Sequence, residues 1–257
     1  MNTRMRVSLF LILALGLAGS GLAEESKSPA IRVALFDDDG SFGKGVPRVA
    51  ELLGKDSSFA VTKLKGSQIG DGTLKRETFD VVVFTGGSGS KQSKAIGEPG
   101  LVAVRQFVQE GGGYIGICAG AYLACEGFSW GAKILDAKTV SSKWKRGVGD
   151  VKIEFTDKGR EILGFAPGRL DIRYANGPIY TTAGSPAIPD FEPLAHFRSE
   201  FAENGSPVGA MVNSPAMVAG SFGKGRVLCS SPHPEQTAGM EGLIVRAAKW
   251  AAGRPGD

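Results

Sequence analysis

The sequence has few cysteines, no strong excess of either charge and no internal repeats. Three cysteines in 257 residues are too few for a disulfide framework, and their odd number leaves at least one thiol free. A formal net charge of +4, from lysines and arginines scattered along the chain, is not the balance of a nucleic-acid-binding protein. Because there is also no low-complexity tract, we expect a single domain over residues 24–257.

Metal-ligating residues are scarce as well. The acidic triplet Asp37-Asp38-Asp39 follows an apolar run and precedes Gly40, which is typical of a turn. Adjacent side chains on a turn point in different directions, and no further cluster of oxygen ligands accompanies them. We therefore predict no bound metal and no other cofactor.

Long apolar runs are limited to the start of the chain. Arg4 and Arg6 precede the apolar segment 7–17, and small residues follow at Gly21-Leu22-Ala23, which together indicate a secretory signal peptide over residues 1–23. No cysteine stands at the cleavage point, so a lipoprotein is not expected. We predict a periplasmic or secreted bacterial protein that meets the membrane only through this segment before cleavage; an uncleaved N-terminal anchor is the alternative.

Buried strands alternate with helices through the first half of the chain. The runs 31–36 and 79–84 are largely apolar, and 59–64 is predicted as a further strand; long apolar runs of this kind are typical of strands in a parallel sheet. Segments 46–53 and 100–110 have helical spacing of their apolar residues. This order favours an α/β fold with an open parallel sheet and helices on both faces.

The stretch GGYIGICAGAYLAC over residues 112–125 carries the main chemical signal. Gly116 and Gly120 flank Cys118 at a spacing of two residues, the pattern of a nucleophile elbow, in which any larger flanking residue would crowd the turn from strand to helix. The alanines after Cys118 favour a helix whose first N–H groups would stabilise a thiolate. The alternative is a small, buried structural cysteine.

The sequence VLCSSPHPE near the end of the chain supplies the partners that a catalytic thiol requires. His233 and Glu235 follow an apolar strand and are separated by one proline, so they are candidates for a base and the group that orients it. The other histidine, His196, has no partner indicated by spacing and is interpreted as structural. Cys125 and Cys229 are interpreted as buried apolar residues, with a disulfide between them as the alternative.

The motifs GICAG and HPE, about a hundred residues apart, resemble those of the class I glutamine amidotransferase-like superfamily. With TGGSGS at 85–90, the match is similar to the branch related to the N-terminal domain of biotin-protein ligases. The resemblance implies a flavodoxin-like sheet, a Cys118-His233-Glu235 triad, and an oxyanion hole formed by the N–H groups of Gly87 and Ala119. In true glutamine amidotransferases a Gln stands at the position of Tyr122, so glutamine is doubtful as the substrate and Tyr122 becomes a candidate substrate-binding residue.

The segment 131–225 is the least informative. Short apolar runs around Val151, Ile172, Leu194 and Met211, broken by Gly, Pro and Asn, indicate added short antiparallel strands rather than helices; the resemblance implies an extra sheet there. Residues 174–178 are either an ordinary turn or a substrate-facing loop that includes Asn176.

Two further patterns complete this half of the chain. The basic cluster Lys143, Lys145 and Arg146 around Trp144 is interpreted as a solvated loop. A hairpin at 216–230 and an amphipathic helix at 240–252 are also expected.

Two functions of different class follow. The first is an exported cysteine hydrolase or amidase acting on a small-molecule amide or ester, with a separate partner subunit if ammonia is transferred. The second is a module that binds a small ligand or partner without turnover, because a fold alone does not promise catalysis. A third, the DJ-1 and PfpI group, is disfavoured since those proteins place His directly after the nucleophile, where Ala119 stands.

Overall fold

A computed structural model describes residue 1 and residues 29–254. The predicted signal peptide therefore lies outside the described residues. Within the part of the chain that is described, no helix is both long and apolar enough to cross a membrane.

The described residues form eleven strands and six α-helices in an alternating order. The strands are β1 Ile31–Phe36, β2 Phe59–Leu64, β3 Val81–Phe84, β4 Gly113–Ile117, β5 Ala137–Thr139, β6 Val148–Phe155, β7 Arg169–Ala175, β8 Tyr180–Thr182, β9 Glu192–Phe197, β10 Pro215–Phe222 and β11 Gly225–Ser230. The helices are α1 Gly45–Gly54, α2 Gly66–Gly70, α3 Gly89–Gln109, α4 Ala119–Ala124, α5 Asp157–Leu163 and α6 Glu241–Ala251. A single 3-10 turn, Pro234–Gln236, follows β11.

Nine of the strands form one sheet in the order β2-β1-β3-β4-β11-β10-β9-β6-β7. The first five run parallel, and the pairs from β11 onward are antiparallel. The order of the parallel strands is the flavodoxin-like one, which confirms the predicted fold class. The antiparallel strands β10, β9, β6 and β7 prolong the main sheet, and only β5 and β8 form a separate pair, so the expected extra sheet is largely a continuation of the first.

Apolar side chains cover both faces of the sheet. One core cluster joins the sheet to α1 and α6 through residues such as Val49, Leu53 and Ile244. The other joins it to α2, α3 and α4 through residues such as Ile69 and Val104. This two-sided packing explains why β3 is apolar throughout and why Arg32 is the one polar residue of β1, since their other side chains have no face that meets water.

The structure corrects the sequence prediction at three elements. Helix α3 begins at Gly89, about ten residues earlier than predicted, and its two parts meet at Gly97, whose φ of 64° is not helical. The segment 157–163 is helix α5, capped by the Thr156 side chain, where only strands were expected. The apolar run around Met211 is not a strand, and Met211 is instead a buried loop residue.

The sheet brings three distant segments to one edge. Strands β3, β4 and β11 are adjacent and parallel, and Ile117 at the end of β4 pairs with Ser230 at the end of β11. Residues that follow these strands therefore emerge side by side, where ligands bind in open α/β sheets. The residues concerned are Gly86, Cys118 and His233.

Candidate active site

Cys118 occupies the turn between β4 and α4 with a strained backbone. Its φ of 50° and ψ of −96° lie outside the regions that residues with a side chain prefer, a strain of about 1–3 kcal/mol. A Cβ on Gly116 would lie 2.6 Å from the Gly120 carbonyl oxygen, and a Cβ on Gly120 would lie 2.2 Å from that of Phe84. Both flanking positions therefore require glycine, which is the physical reason for the spacing that the sequence shows.

His233 and Glu235 form a buried pair behind Cys118. The His233 Nδ1 and the Glu235 Oε1 are 2.8 Å apart, and the two residues are 5% and 0% exposed. The backbone N–H of His233 donates to the Arg173 carbonyl oxygen at 2.7 Å. The ring is thus fixed through both its main chain and its side chain.

Gln236 is a further member of this cluster that the sequence did not single out. Its Nε2 donates to the Glu235 Oε1 at 2.9 Å. Gln236 comes directly after the HPE motif, and this adjacency is the feature of the sequence that could have identified it as a site residue. The side chain gives the buried carboxylate a second hydrogen bond, which helps to hold it toward His233.

The protonation of His233 is governed by its neighbours. Burial by itself lowers the pKa of His233, but the nearby Cys118 sulfur and the Glu235 carboxylate outweigh burial and raise this pKa to about 10. A proton on the ring is therefore favoured once Cys118 has given up its own, as an imidazolium paired with the thiolate. The thiol of Cys118 donates to the Ala175 carbonyl oxygen, with Sγ and O 3.4 Å apart.

The two predicted oxyanion donors lie on either side of Cys118. Gly87 follows β3 and lines the cavity beside the sulfur, and Ala119 is the first residue of α4. Within the described residues, neither N–H donates a hydrogen bond. A Cβ on Gly87 would lie 1.9 Å from the Gly40 carbonyl oxygen. Only glycine at this position therefore allows the loop after β3 to pack this closely on the loop at Gly40.

The structure brings the two predicted substrate-binding residues together. The Tyr122 hydroxyl donates to the Asn176 carbonyl oxygen at 3.1 Å, and both residues line the cavity at Cys118. Asn176 has a φ of 58° and accepts the Gly147 N–H with its side-chain oxygen at 2.9 Å. The range 174–178 is therefore the end of β7 followed by a loop, and Ala175 and Asn176 form part of the cavity wall.

The cavity in front of Cys118 has a volume of about 250 Å³. Its wall is largely aromatic, and the aromatic residues that line it are Tyr122, Phe128, Trp130 and Trp144. The rings of Phe128 and Trp130 stack with centroids 4.7 Å apart. A deep, partly apolar cavity beside a nucleophile is the usual form of a small-molecule site.

The segment around Trp144 differs from the solvated loop predicted for it. Lys143, Lys145 and Trp144 are exposed, but Arg146 is only 2% exposed. The Arg146 Nη2 has no hydrogen-bond partner within the described residues, and Nη1 reaches the Pro207 carbonyl oxygen at 3.4 Å. The local sequence does not predict that Arg146 is buried, because its neighbours in the chain are exposed lysines. The residue that its side chain contacts, Pro207, lies 61 positions further along the chain.

The remaining candidates lie away from the cavity. All three cysteines are free and buried, so Cys125 and Cys229 do not form the alternative disulfide, and burial raises the pKa of both thiols. His196 lies on β9 opposite Glu154 of β6, and burial lowers its pKa. In the predicted acidic turn, Asp38 accepts the N–H groups of Gly66 and Asp39.

Comparison with known proteins agrees with the fold. Residues 31–143 match the family model described as "Biotin-protein ligase, N terminal". The chain also superposes on a structure of PurLQS from Thermotoga maritima, with a TM-score of 0.59 and 16% identity over 85% of this chain and 97% of that one. The chain has a class I glutamine amidotransferase-like fold. The resemblance inferred from the sequence motifs is thereby confirmed, with a domain similar to the N-terminal domain of biotin-protein ligases.

Other relatives share this glutamine amidotransferase-like fold. A solved glutamine amidotransferase is 21% identical over 86% of this chain and 98% of its own, with a TM-score of 0.56. A ThuA-like protein from Parabacteroides merdae is 16% identical over 90% of this chain and 92% of its own, also with a TM-score of 0.56. A protein of Chlamydia muridarum described as uncharacterized is 31% identical over 128 residues, which are 49% of this chain and 39% of that protein. These likenesses show the fold, and the chemistry has to be argued from the site.

Proposed function

We propose that this protein is an exported cysteine hydrolase that cleaves a small-molecule amide or ester through Cys118, His233 and Glu235. The observation that carries the proposal is the strained Cys118 turn beside the buried His233–Glu235 pair. A buried base with its orienting carboxylate has little use in a protein that only binds. Export depends on the predicted signal peptide at residues 1–23.

The proposed reaction begins with proton transfer from the Cys118 thiol to His233. The S–H turns away from the Ala175 carbonyl oxygen and gives its proton to the neutral ring, forming the imidazolium that the raised pKa of about 10 favours beside the thiolate and Glu235. The thiolate attacks the substrate carbonyl carbon, a C–S bond forms, and the π electron pair moves onto oxygen. In this proposal the N–H groups of Gly87 and Ala119, neither of which donates another hydrogen bond within the described residues, stabilise that oxygen.

The second half of the reaction returns the proton. As the carbon–nitrogen or carbon–oxygen bond breaks, His233 protonates the departing amine or alcohol and a thioester remains on Cys118. Water then gives a proton to His233 and attacks the thioester. Release of the acid restores the thiol, and Glu235 holds the ring throughout.

The first test is the rate at which iodoacetamide alkylates Cys118 between pH 5 and 10, read by peptide mass mapping. A thiol without a partner titrates near about pH 8.5, so about 1% is thiolate at pH 6.5. We expect wild-type Cys118 to react at least about tenfold faster than in His233→Gln at pH 6.5, after allowance for lower intrinsic nucleophilicity. His196→Gln, which removes the other histidine, is the matched control and should leave the profile unchanged.

Identical pH profiles in wild type, His233→Gln and His196→Gln would contradict the proposal. The buried Cys125 and Cys229 should remain unlabelled in the folded protein and serve as internal controls. If Cys118 behaves as proposed, hydrolysis of an amide and ester panel follows, with Cys118→Ala as the inactive reference.

The second candidate function is a binding module. It is favoured by one contact, the hydrogen bond that directs the Cys118 thiol to Ala175 instead of the base. A ligand that raises the melting temperature equally in wild type and Cys118→Ala, without being consumed by either, would support it. Turnover by the wild type alone would exclude it.

A further inference from the structure

The cavity at Cys118 presents unusually large aromatic surfaces to a ligand. Trp144 lines the cavity and is 52% exposed. Trp130 also lines the cavity, and its ring stacks on that of Phe128. An exposed indole face can be covered by another flat apolar group, and aromatic rings that pack on each other gain free energy beyond the area they bury. The wall therefore provides surfaces on which a planar ring can pack.

The polar side chains that line the same cavity carry no formal charge. Five of them are serine or threonine hydroxyls, namely Ser88, Ser90, Thr139, Ser141 and Ser142; the Lys145 Nζ lies outside this lining, 5.4 Å from the centre of the Trp144 ring. Among the described residues that line the cavity, none is Lys, Arg, Asp or Glu. The nearest buried cation, Arg146, is 2% exposed and does not reach the cavity surface.

From this lining we infer that the group bound in front of Cys118 is an uncharged acyl group carrying a flat, largely apolar ring. The inference rests on the proposed function, in that this acyl group is the part of the substrate that Cys118 attacks. The ring packs against Trp130 and Trp144. The hydroxyl groups donate hydrogen bonds to the neutral polar atoms of the ligand or accept hydrogen bonds from them.

The same lining argues against a free amino acid as substrate. Glutamine carries an ammonium and a carboxylate group, and placing both in a site without opposite charges leaves them desolvated and unpaired. The presence of Tyr122 where glutamine amidotransferases have Gln points the same way. The cavity thus discriminates by charge as well as by shape.

Tryptophan fluorescence gives a direct test, because the sequence has three tryptophans. Trp130 and Trp144 line the cavity, whereas Trp250 lies on α6 beneath the Arg226 guanidinium. In a Trp250→Phe protein, the emission comes only from the cavity. The probes are phenylacetamide (neutral, with a ring), acetamide (neutral, without a ring), phenylacetate (charged, with a ring) and L-glutamine (charged amide), each titrated to the same millimolar concentration.

We expect saturable quenching by phenylacetamide alone. Trp144→Ala or Trp130→Ala should weaken phenylacetamide binding about tenfold, since a ring-on-ring contact contributes about 1 kcal/mol beyond buried area. Saturable binding of glutamine or phenylacetate that equals or exceeds that of phenylacetamide would overturn the inference. So would phenylacetamide binding that neither tryptophan substitution changes, or no binding at all.

The titration is carried out with and without Cys118→Ala, so that binding is separated from turnover. Phenylacetamide binding together with identical Cys118 alkylation profiles in wild type and His233→Gln would leave the ring site standing and refute the hydrolase. Faster alkylation of Cys118 in the wild type than in His233→Gln, together with saturable glutamine binding, would support the hydrolase and overturn the ring site. The two proposals therefore fail in different experiments.

Discussion

A methyl group at residue 86 would test whether the position of His233 controls the reactivity of Cys118. Gly86 is buried at the end of β3, and a Cβ built there would lie 2.6 Å from the His233 Cε1. Its backbone φ is not positive, so Gly86→Ala adds the methyl group without backbone strain. The substitution acts on the ring and on little else.

The size of the effect follows from the contact distances. To restore an ordinary contact of about 3.4 Å, the His233 ring has to move by about 0.8 Å. The ring cannot make this shift without loss, because its Nδ1 is held 2.8 Å from Glu235 and its backbone N–H is held by Arg173. A misplacement of about 1 Å in a catalytic group costs up to about 100-fold in rate. We therefore expect Gly86→Ala to slow Cys118 alkylation at pH 6.5 by at least about tenfold.

The assay combines alkylation of Cys118 at pH 6.5 with thermal unfolding of the same samples. Gly54→Ala is the matched control, because no atom lies within 4 Å of a Cβ at that position; it should keep the wild-type alkylation rate. The Gly86→Ala protein should remain folded, and its Cys118 should be alkylated at least about tenfold more slowly than in the wild type. If Cys118 is alkylated at the wild-type rate in Gly86→Ala but more slowly in His233→Gln, the position of the His233 ring does not control its reactivity.

Two further predictions concern stability. Gly120→Ala should lower the free energy of urea unfolding by about 2 kcal/mol, because its Cβ meets the Phe84 carbonyl oxygen at 2.2 Å. Gly242→Ala, in open space on α6, should raise it by less than about 1 kcal/mol; equal values would contradict the elbow geometry. Because the pKa of His233 is raised from 6.5 to about 10, its proton stabilises the folded state at low pH and this contribution is lost as the pH rises through about 10. The stability advantage of wild type over His233→Gln should therefore be smaller at pH 10.5 than at pH 7, and an advantage that grows with pH would refute the assigned shift.

Local sequence was sufficient to predict the elements whose environment is uniform. The strand at 31–36 and the strand at 59–64 were predicted at the bounds that the structure gives. Apart from Arg32, β1 is apolar and buried on both faces, so its composition is enough to predict a buried strand. Helix α3 was only half predicted, because its first part is rich in Ser, Lys and Gly and is held by packing against α2 instead of by its own propensity.

The geometry of the elbow was also accessible from sequence, because it depends on contacts within a few residues. Gly116 and Gly120 are needed for backbone clearance between β4, α4 and β3. The approach of Cys118 to His233 follows from the pairing of two neighbouring parallel strands. The sequence shows the Gly-x-Cys-x-Gly and His-Pro-Glu spacings. The distances between the two motifs are set by the pairing of β4 with β11 and are known only from the structure.

The sequence by itself thus determined the α/β class, the buried parallel strands and the local conditions for a sharp turn at Cys118. Only the tertiary structure decided that Ala175 accepts the Cys118 thiol across a separation of 57 residues, that Trp144 edges the cavity, and that Arg146 is buried beside exposed lysines. Strand periodicity and glycine spacing reflect interactions between near neighbours in the chain. The cavity wall is made by loops that meet only after the sheet has formed, and no local pattern records which loops those are.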